Sequence, residues 1–317
     1  IEEYGIAQIS INLTNINITP MHIAFDEVCK KADARGIRVT GSELVGLIPL
    51  KAMLDAGKYF LQKQKRSIGV SESELIKIAV KSLGLDELTP FDPQERIIEY
   101  MLKDKNSSKL ISMNLEAFAE ETASESPAPG GGSIAAYVGS LGISLATMVA
   151  NLSSHKAGWD DRWEEFSNWA ARGQALKDEL LKLVDADTAA FNKIMDAFGM
   201  AKGTDEEKAN RKNAIQAATK FAIEIPFRVM EASYASMEMI KAMAETGNPN
   251  SVSDAGVGAL CARSAVMGAF MNVRINAAGY DDADYVKQML AKGNSLQDKT
   301  VAAEQEILQI VNEKIGL

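Results

Sequence analysis

Residues 130–154 read Gly-Gly-Gly-Ser-Ile-Ala-Ala-Tyr-Val-Gly-Ser-Leu-Gly-Ile-Ser-Leu-Ala-Thr-Met-Val-Ala-Asn-Leu-Ser-Ser, without one charged side chain. The run is long enough to span a bilayer. Its many Gly, Ser, Thr and Asn residues make it too weakly hydrophobic for that role, so it reads as a helix buried inside a helical domain. The flanking sequence agrees. A short helix is expected over 113–122 and a loop over 124–132. A long helix or a broken pair covers Asp160 to about Phe198. Thr204-Asp205-Glu206-Glu207 is a capping box that opens a helix to about Glu245, with Pro226 expected to kink it and Gly247 to end it. Ser253 is expected to cap a helix to about Ala278, and Asp284–Ile315 forms the last. No strand is evident from 113 to 317, which predicts an all-α bundle.

Upstream the pattern changes. Lys103 to Ser112 is polar and charged and reads as a linker. Within 1–102, Ala7, Ile9, Ile11 and Leu13 alternate with Gln8, Ser10, Asn12 and Thr14, the period of a half-buried strand. Thr19-Pro20 supplies an N-cap and a first-turn proline for a helix to about Ala34 that stops at Gly36. A second strand is expected from Ile37 to Leu47. Pro49 opens another helix, Ser71-Glu72-Ser73-Glu74 is a capping box, and Asp92-Pro93 starts a helix ending near Leu102. Strands alternating with helices predict an α+β domain over 1–102, ahead of the bundle over 113–317. No internal repeat is visible.

The chain has 317 residues, 46% apolar and 24% charged, with a formal net charge of −9. That length suits about two domains. The acidic balance argues against nucleic acid as a partner, since phosphates need a basic surface. Two cysteines, Cys29 and Cys261, point to a reducing, cytoplasmic setting. With only two histidines, His22 and His155, no zinc site is expected. No membrane anchor is expected either. A chain that starts at Ile1 without a signal segment reads as a piece of something longer.

Asp187 is the sharpest single feature. Leu176, Leu180, Leu183, Val184, Phe191, Ile194, Met195 and Phe198 recur at helical spacing, and Asp187 falls inside that stripe. Asp185, two positions back, joins Asp178, Lys182, Asn192 and Asp196 on the polar face. A carboxyl on an apolar face is costly unless paired, neutral or used. Desolvation raises its pKa toward the range useful for proton transfer. The same placement also suits a structural lock to a neighbouring helix, and the pattern leaves both readings open. The loop Ser126-Pro127-Ala128-Pro129-Gly130-Gly131-Gly132-Ser133 lets backbone approach something closely, with Ser133 placed at the N-cap of the uncharged helix. It is not a P-loop. It serves either a ligand or a close helix crossing, the latter supported by Ala136, Ser140 and Ser144 at fourfold spacing. Asn248 to Asp254 opens a helix, where Ser253 and Asp254 suit capping. Arg263 and Arg274 share a face with Phe270 between them and are suited either to carboxylates or to structural ion pairs. His155-Lys156 suits an anion or simply a helix C-terminus. His22 and Cys29 read as structural.

Together these stretches resemble the formiminotransferase-cyclodeaminase family, bifunctional folate enzymes of histidine breakdown. Residues 113–317 resemble its cyclodeaminase domain through 126–133, Leu183-Val184-Asp185-Ala186-Asp187 followed by Ala190-Phe191, Gly247–Asp254, and Asn272-Val273-Arg274-Ile275-Asn276. Residues 1–102 resemble the C-terminal subdomain of its transferase part through Ala7–Leu13, Gly41–Leu50 and Glu95–Tyr100. The transferase subdomain that carries the family's catalytic histidine has no counterpart here, and His22 lies in the wrong subdomain to replace it. The resemblance implies ring closure of 5-formiminotetrahydrofolate to 5,10-methenyltetrahydrofolate with loss of ammonia, and makes Asp187 the active-site residue. It places Gly130, Gly131, Gly132 and Ser133 against the pterin or the amidine, and Asp254 in a matching segment as a further substrate contact. Lys156, Arg263 and Arg274 become contacts for the anionic folate tail, which in some folates is polyglutamylated. No metal or redox cofactor is implied, and at least a homodimer through the helical domain is. A methenyltetrahydrofolate cyclohydrolase, which shares the fold, and a folate-binding or assembly module without turnover are the competing readings.

Overall fold

A computed structural model describes residues 5–102 and 109–316. The chain divides into two compact units, Ile1–Lys105 and Asn106–Leu317. Residues 103–108, most of the expected linker, lie outside the described residues, as does Ile1.

In the first unit the helices are α1 (Met21–Asp33), α2 (Leu50–Lys63), α3 (Glu72–Leu83), α4 (Pro93–Arg96) and α5 (Ile98–Met101). Their core gathers Met53, Ala56, Ile76, Ala79, Leu83 and Ile97. Helix α2 presses on α3 closely enough that a Cβ on Gly57 would strike the Leu75 backbone. Ser71 caps α3 by accepting from the Glu74 N–H at 3.3 Å. Thr19 does not cap α1, whose N-cap is Pro20 with no side-chain bond.

The α+β expectation for this unit is not met. Among the described residues the single β-type pairing is an isolated parallel bridge between Ile48 and Ile97. That bridge breaks the helix expected after Asp92, because Ile97 is extended at φ −94° and ψ 122°. Among the described residues neither expected strand forms: Ile9 of the alternating segment is 67% exposed, and Val45 of the second segment 87%. The physical reason is that period-two alternation specifies which side chains would share a face, while a strand also needs a neighbour for its backbone.

The second unit has no strand among its described residues and is built on α6 (Leu115–Ala123), α7 (Gly131–Ser154), α8 (Trp163–Gly199), α9 (Asp205–Thr246), α10 (Val252–Ala277) and α11 (Ala283–Ile315). Helices α7 to α10 form an up-and-down bundle. Ser133 at the start of α7 meets α8 near Val184, while a Cβ on Gly173 would strike Thr147 farther along, so the two run antiparallel. Arg228–Glu179 and Arg172–Glu238 set α9 antiparallel to α8. Helix α11 lies along α10, where Phe270 fills the space a side chain on Gly293 would need. The core joins Ile143, Leu180, Ile223, Met230, Ile240, Val266 and Ile307.

The uncharged segment is therefore a buried bundle helix, with Ala136, Ile143, Ala146 and Ala150 sealed. Helices α7 and, together with the short turn Pro249–Ser251, α10 are both long and apolar enough to cross a membrane by length and composition. Their close crossing rests on glycine: a Cβ on Gly142 would stand 2.8 Å from the Gly258 carbonyl oxygen, while one on Gly139 would stand 2.6 Å from Ser233 Oγ of α9. Two caps differ from expectation. Ser133 lies inside α7, whose N-cap is Gly130. Ser251 precedes α10 in place of Ser253. The capping box at Thr204 forms, with both reciprocal bonds.

Candidate active site

Gly130 has no side chain to cap α7, and a helix N-terminus leaves N–H groups unsatisfied. Helix α8 supplies what is missing. The Asp187 carboxyl accepts from the Ser133 backbone N–H and from Ser133 Oγ at 3.1 Å. Ser133 Oγ also donates to the Val184 carbonyl at 3.0 Å and is fully buried. Gly132 makes this approach possible, because a Cβ there would fall inside the Asp187 carboxyl. At Gly131 the nearest atom to such a Cβ would be Asn272 Nδ2 at 3.4 Å, ordinary contact. Thus Asp187 and Asn272 flank the first turn of α7 from two sides.

Burial pushes the Asp187 carboxyl above the ordinary carboxylate range, and the two Ser133 bonds pull partly against that. The two readings of Asp187 coincide in one geometry. The residue locks α8 to the start of α7, and the lock leaves a half-buried, elevated carboxyl at the edge of a cleft.

That cleft, about 130 Å³, is lined by the 127–132 loop, by Asp187, Thr188 and Phe191 of α8, by Ala222 of α9, and by Asn272 and Asn276 of α10. Asn276 is held there by a defect in α9. Pro226 has no N–H to give the carbonyl four residues back, and Asn276 Nδ2 donates to that carbonyl, Ala222 O, at 2.7 Å. Asn272 Nδ2 donates to Gly268 O at 3.0 Å. Phe191, which lines the cleft, is 39% exposed.

The other expected contacts do not reach the cleft. Arg263 faces α11, 3.7 Å from the buried Glu304, and Arg274 lies over the Phe270 ring at 4.6 Å. Both share the α11 side of α10, as their spacing predicts, but their partners are structural. Lys156 sits beyond the far end of α7 with its ammonium 4.0 Å from the Trp159 ring centre. Asp254 is eighteen residues before Asn272 on α10, about 27 Å along the axis. Asp185 is not a freely solvated acid, because it accepts from the Leu110 N–H at 2.8 Å. A larger cavity of about 510 Å³ lies between α7 and α8, with His155, Gln174 and Lys177 among its walls. Its lining includes an imidazole and an ammonium but no carboxyl. Asn272 and Asn276 are the site residues that reasoning from sequence missed. The signal for Asn276 was Pro226, whose orphaned carbonyl needs a donor.

The described residues of the second unit thus form an antiparallel helical bundle with an elevated carboxyl at a glycine-rich helix start, and this defines the class of domain. The chain belongs to the formiminotransferase-cyclodeaminase family, matching "Formiminotransferase-cyclodeaminase" over residues 114–295 and "Formiminotransferase domain" over 1–103. It is 40% identical to formimidoyltransferase-cyclodeaminase from Gallus gallus over 286 residues, 90% of this chain and 53% of that protein. It is 33% identical to methenyltetrahydrofolate cyclohydrolase from Methylorubrum extorquens over 202 residues, 64% of this chain and 97% of that protein. The crystal structure of formiminotetrahydrofolate cyclodeaminase from Thermotoga maritima matches with a TM-score of 0.58 at 26% identity, covering 65% of this chain and all of that one. The chain spans about half the length of the formimidoyltransferase-cyclodeaminases it resembles.

Proposed function

We propose that the helical unit closes the ring of 5-formiminotetrahydrofolate to give 5,10-methenyltetrahydrofolate and ammonia. The observation that carries this reading is the single elevated carboxyl, Asp187, fixed by Ser133 beside a cleft. With the formimino group protonated as an amidinium, the folate N10 attacks the amidine carbon, a C–N10 bond forms and the C–N double bond becomes single. Asp187 takes the N10 proton and hands it to the formimino nitrogen, whose bond to carbon breaks as ammonia leaves. A carboxyl held above its usual range suits both halves of that transfer, because proton exchange is best when the catalytic pKa approaches the working pH. The family relationship and the cyclodeaminase from Thermotoga maritima support the same substrate. No cofactor is needed for the step. The unpaired cysteines Cys29 and Cys261 fit a cytoplasmic setting.

The protein is expected to act as at least a dimer through this unit. Leu141, Met148 and Leu152 on α7 and Val257 and Leu260 on α10 are exposed on helices that pack together. A monomer in sedimentation at micromolar concentration would contradict that. The activity is tested by supplying 5-formimino- and 5,10-methenyltetrahydrofolate separately and following methenyl absorbance and ammonia. Equal appearance of both products from the formimino substrate is expected. Turnover of the methenyl compound alone would favour the cyclohydrolase reading, and binding of either without turnover a folate-binding module.

A further inference from the structure

The cleft is rich in acceptors and contains no cation. Its lining holds Asp187, Thr188, Asn272 and Asn276, and no Lys, Arg or His. The amide orientations follow from their partners. Each Nδ2 donates to a backbone carbonyl, Gly268 O for Asn272 and Ala222 O for Asn276, and a carbonyl can only accept. Each Oδ1 is therefore the free end of its amide, and neither accepts a hydrogen bond from the described residues. Both amides lie on successive turns of α10, four residues apart and so on one face. Asn272 stands against Gly131 and Asp187 against Gly132 at the start of α7, and both line the cleft.

We propose that the amide oxygens of Asn272 and Asn276 accept the N–H groups of the leaving nitrogen, so that these residues select an amidine substrate over its formyl counterpart. The inference rests on the proposed cyclodeaminase reading and names what that site recognises. The formimino nitrogen carries N–H donors and becomes ammonia. A formyl oxygen at the same position carries only lone pairs, which would face two amide oxygens and a carboxyl. A site built to receive a hydrogen bond rejects an isostere that cannot make it, because its own polar groups are left unpaired.

The test compares 5-formiminotetrahydrofolate with 5-formyltetrahydrofolate, in which oxygen replaces the terminal nitrogen. Affinities for both are measured by calorimetry on the intact chain, together with kcat/KM for ammonia release. Asn272→Leu is expected to lower kcat/KM at least tenfold and to weaken formimino binding, while formyl binding changes less than twofold or tightens. Asn272→Asp keeps an acceptor oxygen and is expected to restore the preference for the formimino ligand. Asn276→Leu leaves the Ala222 carbonyl without its donor, so its melting point is measured alongside, and the Asn272 pair decides the matter if it unfolds. Parallel loss of both ligands in Asn272→Leu, or unchanged discrimination, would overturn the proposal. A wild-type chain that discriminates in binding but releases no ammonia would sink the cyclodeaminase reading and leave the recognition assignment standing.

Discussion

Ile11 and Ile223 are the same residue in two differently built units. Ile11 belongs to a clean alternating segment and is 49% exposed, whereas Ile223 is sealed inside the bundle. In the helical unit each segment satisfies its own backbone and needs neighbours only for side chains, so an amphipathic stripe is enough to place it. In the first unit the alternating segments need another strand before their apolar side can be buried, and none is present among the described residues. Helical pattern is self-sufficient information, and strand pattern is not.

The largest expected effect lies in the bundle, at the point where lock and chemistry meet. Asp187→Asn should lower turnover by roughly 10²–10⁴-fold, the usual worth of a positioned acid–base group. The amide oxygen can still accept from Ser133, so the start of α7 stays capped. The stability effect has an opposite sign. Because burial raises the Asp187 pKa, the folded state holds this proton more tightly than the unfolded chain. The group's favourable contribution is complete below its unfolded value of 3.8 and is lost as pH rises through the folded value. An uncharged Asn escapes that loss, so the variant should melt at or above the wild type at neutral pH, with its advantage shrinking in acid. Thermal midpoints at several pH values check this, and a variant that unfolds at neutral pH would leave Asp187 a lock without the proton role.

Next in size is the contrast between adjacent glycines. Gly132→Ala would drive a methyl into the Asp187 carboxyl. Displacing a catalytic group by about 1 Å costs on the order of 10²-fold, and that is the loss expected in turnover. Gly131→Ala meets only the Asn272 amide at 3.4 Å and should cost much less. Equal losses in the two variants, measured at saturating substrate, would mean that the whole loop moves as one.

These two residues show what was legible. The stripe through Leu183 and Phe191 singled out Asp187, because an acid in an apolar row is visible without coordinates. The three glycines were visible as a group, but which one touches the carboxyl depends on how α8 crosses α7, a long-range fact. The face shared by Arg263 and Arg274 was also legible. The helix opposite it, α11 with Glu304 beside Arg263, was not. Asn272 and Asn276 look like ordinary polar positions on a helix until Pro226 is seen to release the Ala222 carbonyl.

A smaller effect is expected at Asp185, which shares its helix with Asp187 and serves only structure. Asp185→Ala removes the acceptor for the Leu110 N–H and should cost about 1 kcal/mol, with turnover retained. A loss of turnover as large as that of Asp187→Asn would mean that the segment before α6 takes part in the site.

The smallest effect tests the comparison itself. Ile97 is fully buried and pairs with Ile48, so Ile97→Val should cost about 0.5–1.5 kcal/mol. The same change at Ile11 removes a methylene that already faces water, and should stay within about 0.5 kcal/mol. Amide hydrogen exchange over residues 7–14 of the intact chain provides the second readout, since an extended segment outside any strand ladder exchanges freely. Slow exchange there, or a cost at Ile11 equal to that at Ile97, would show that the alternating segment has found a strand partner in solution. The difference between the two units would then lie in what the first unit associates with, rather than in its own fold.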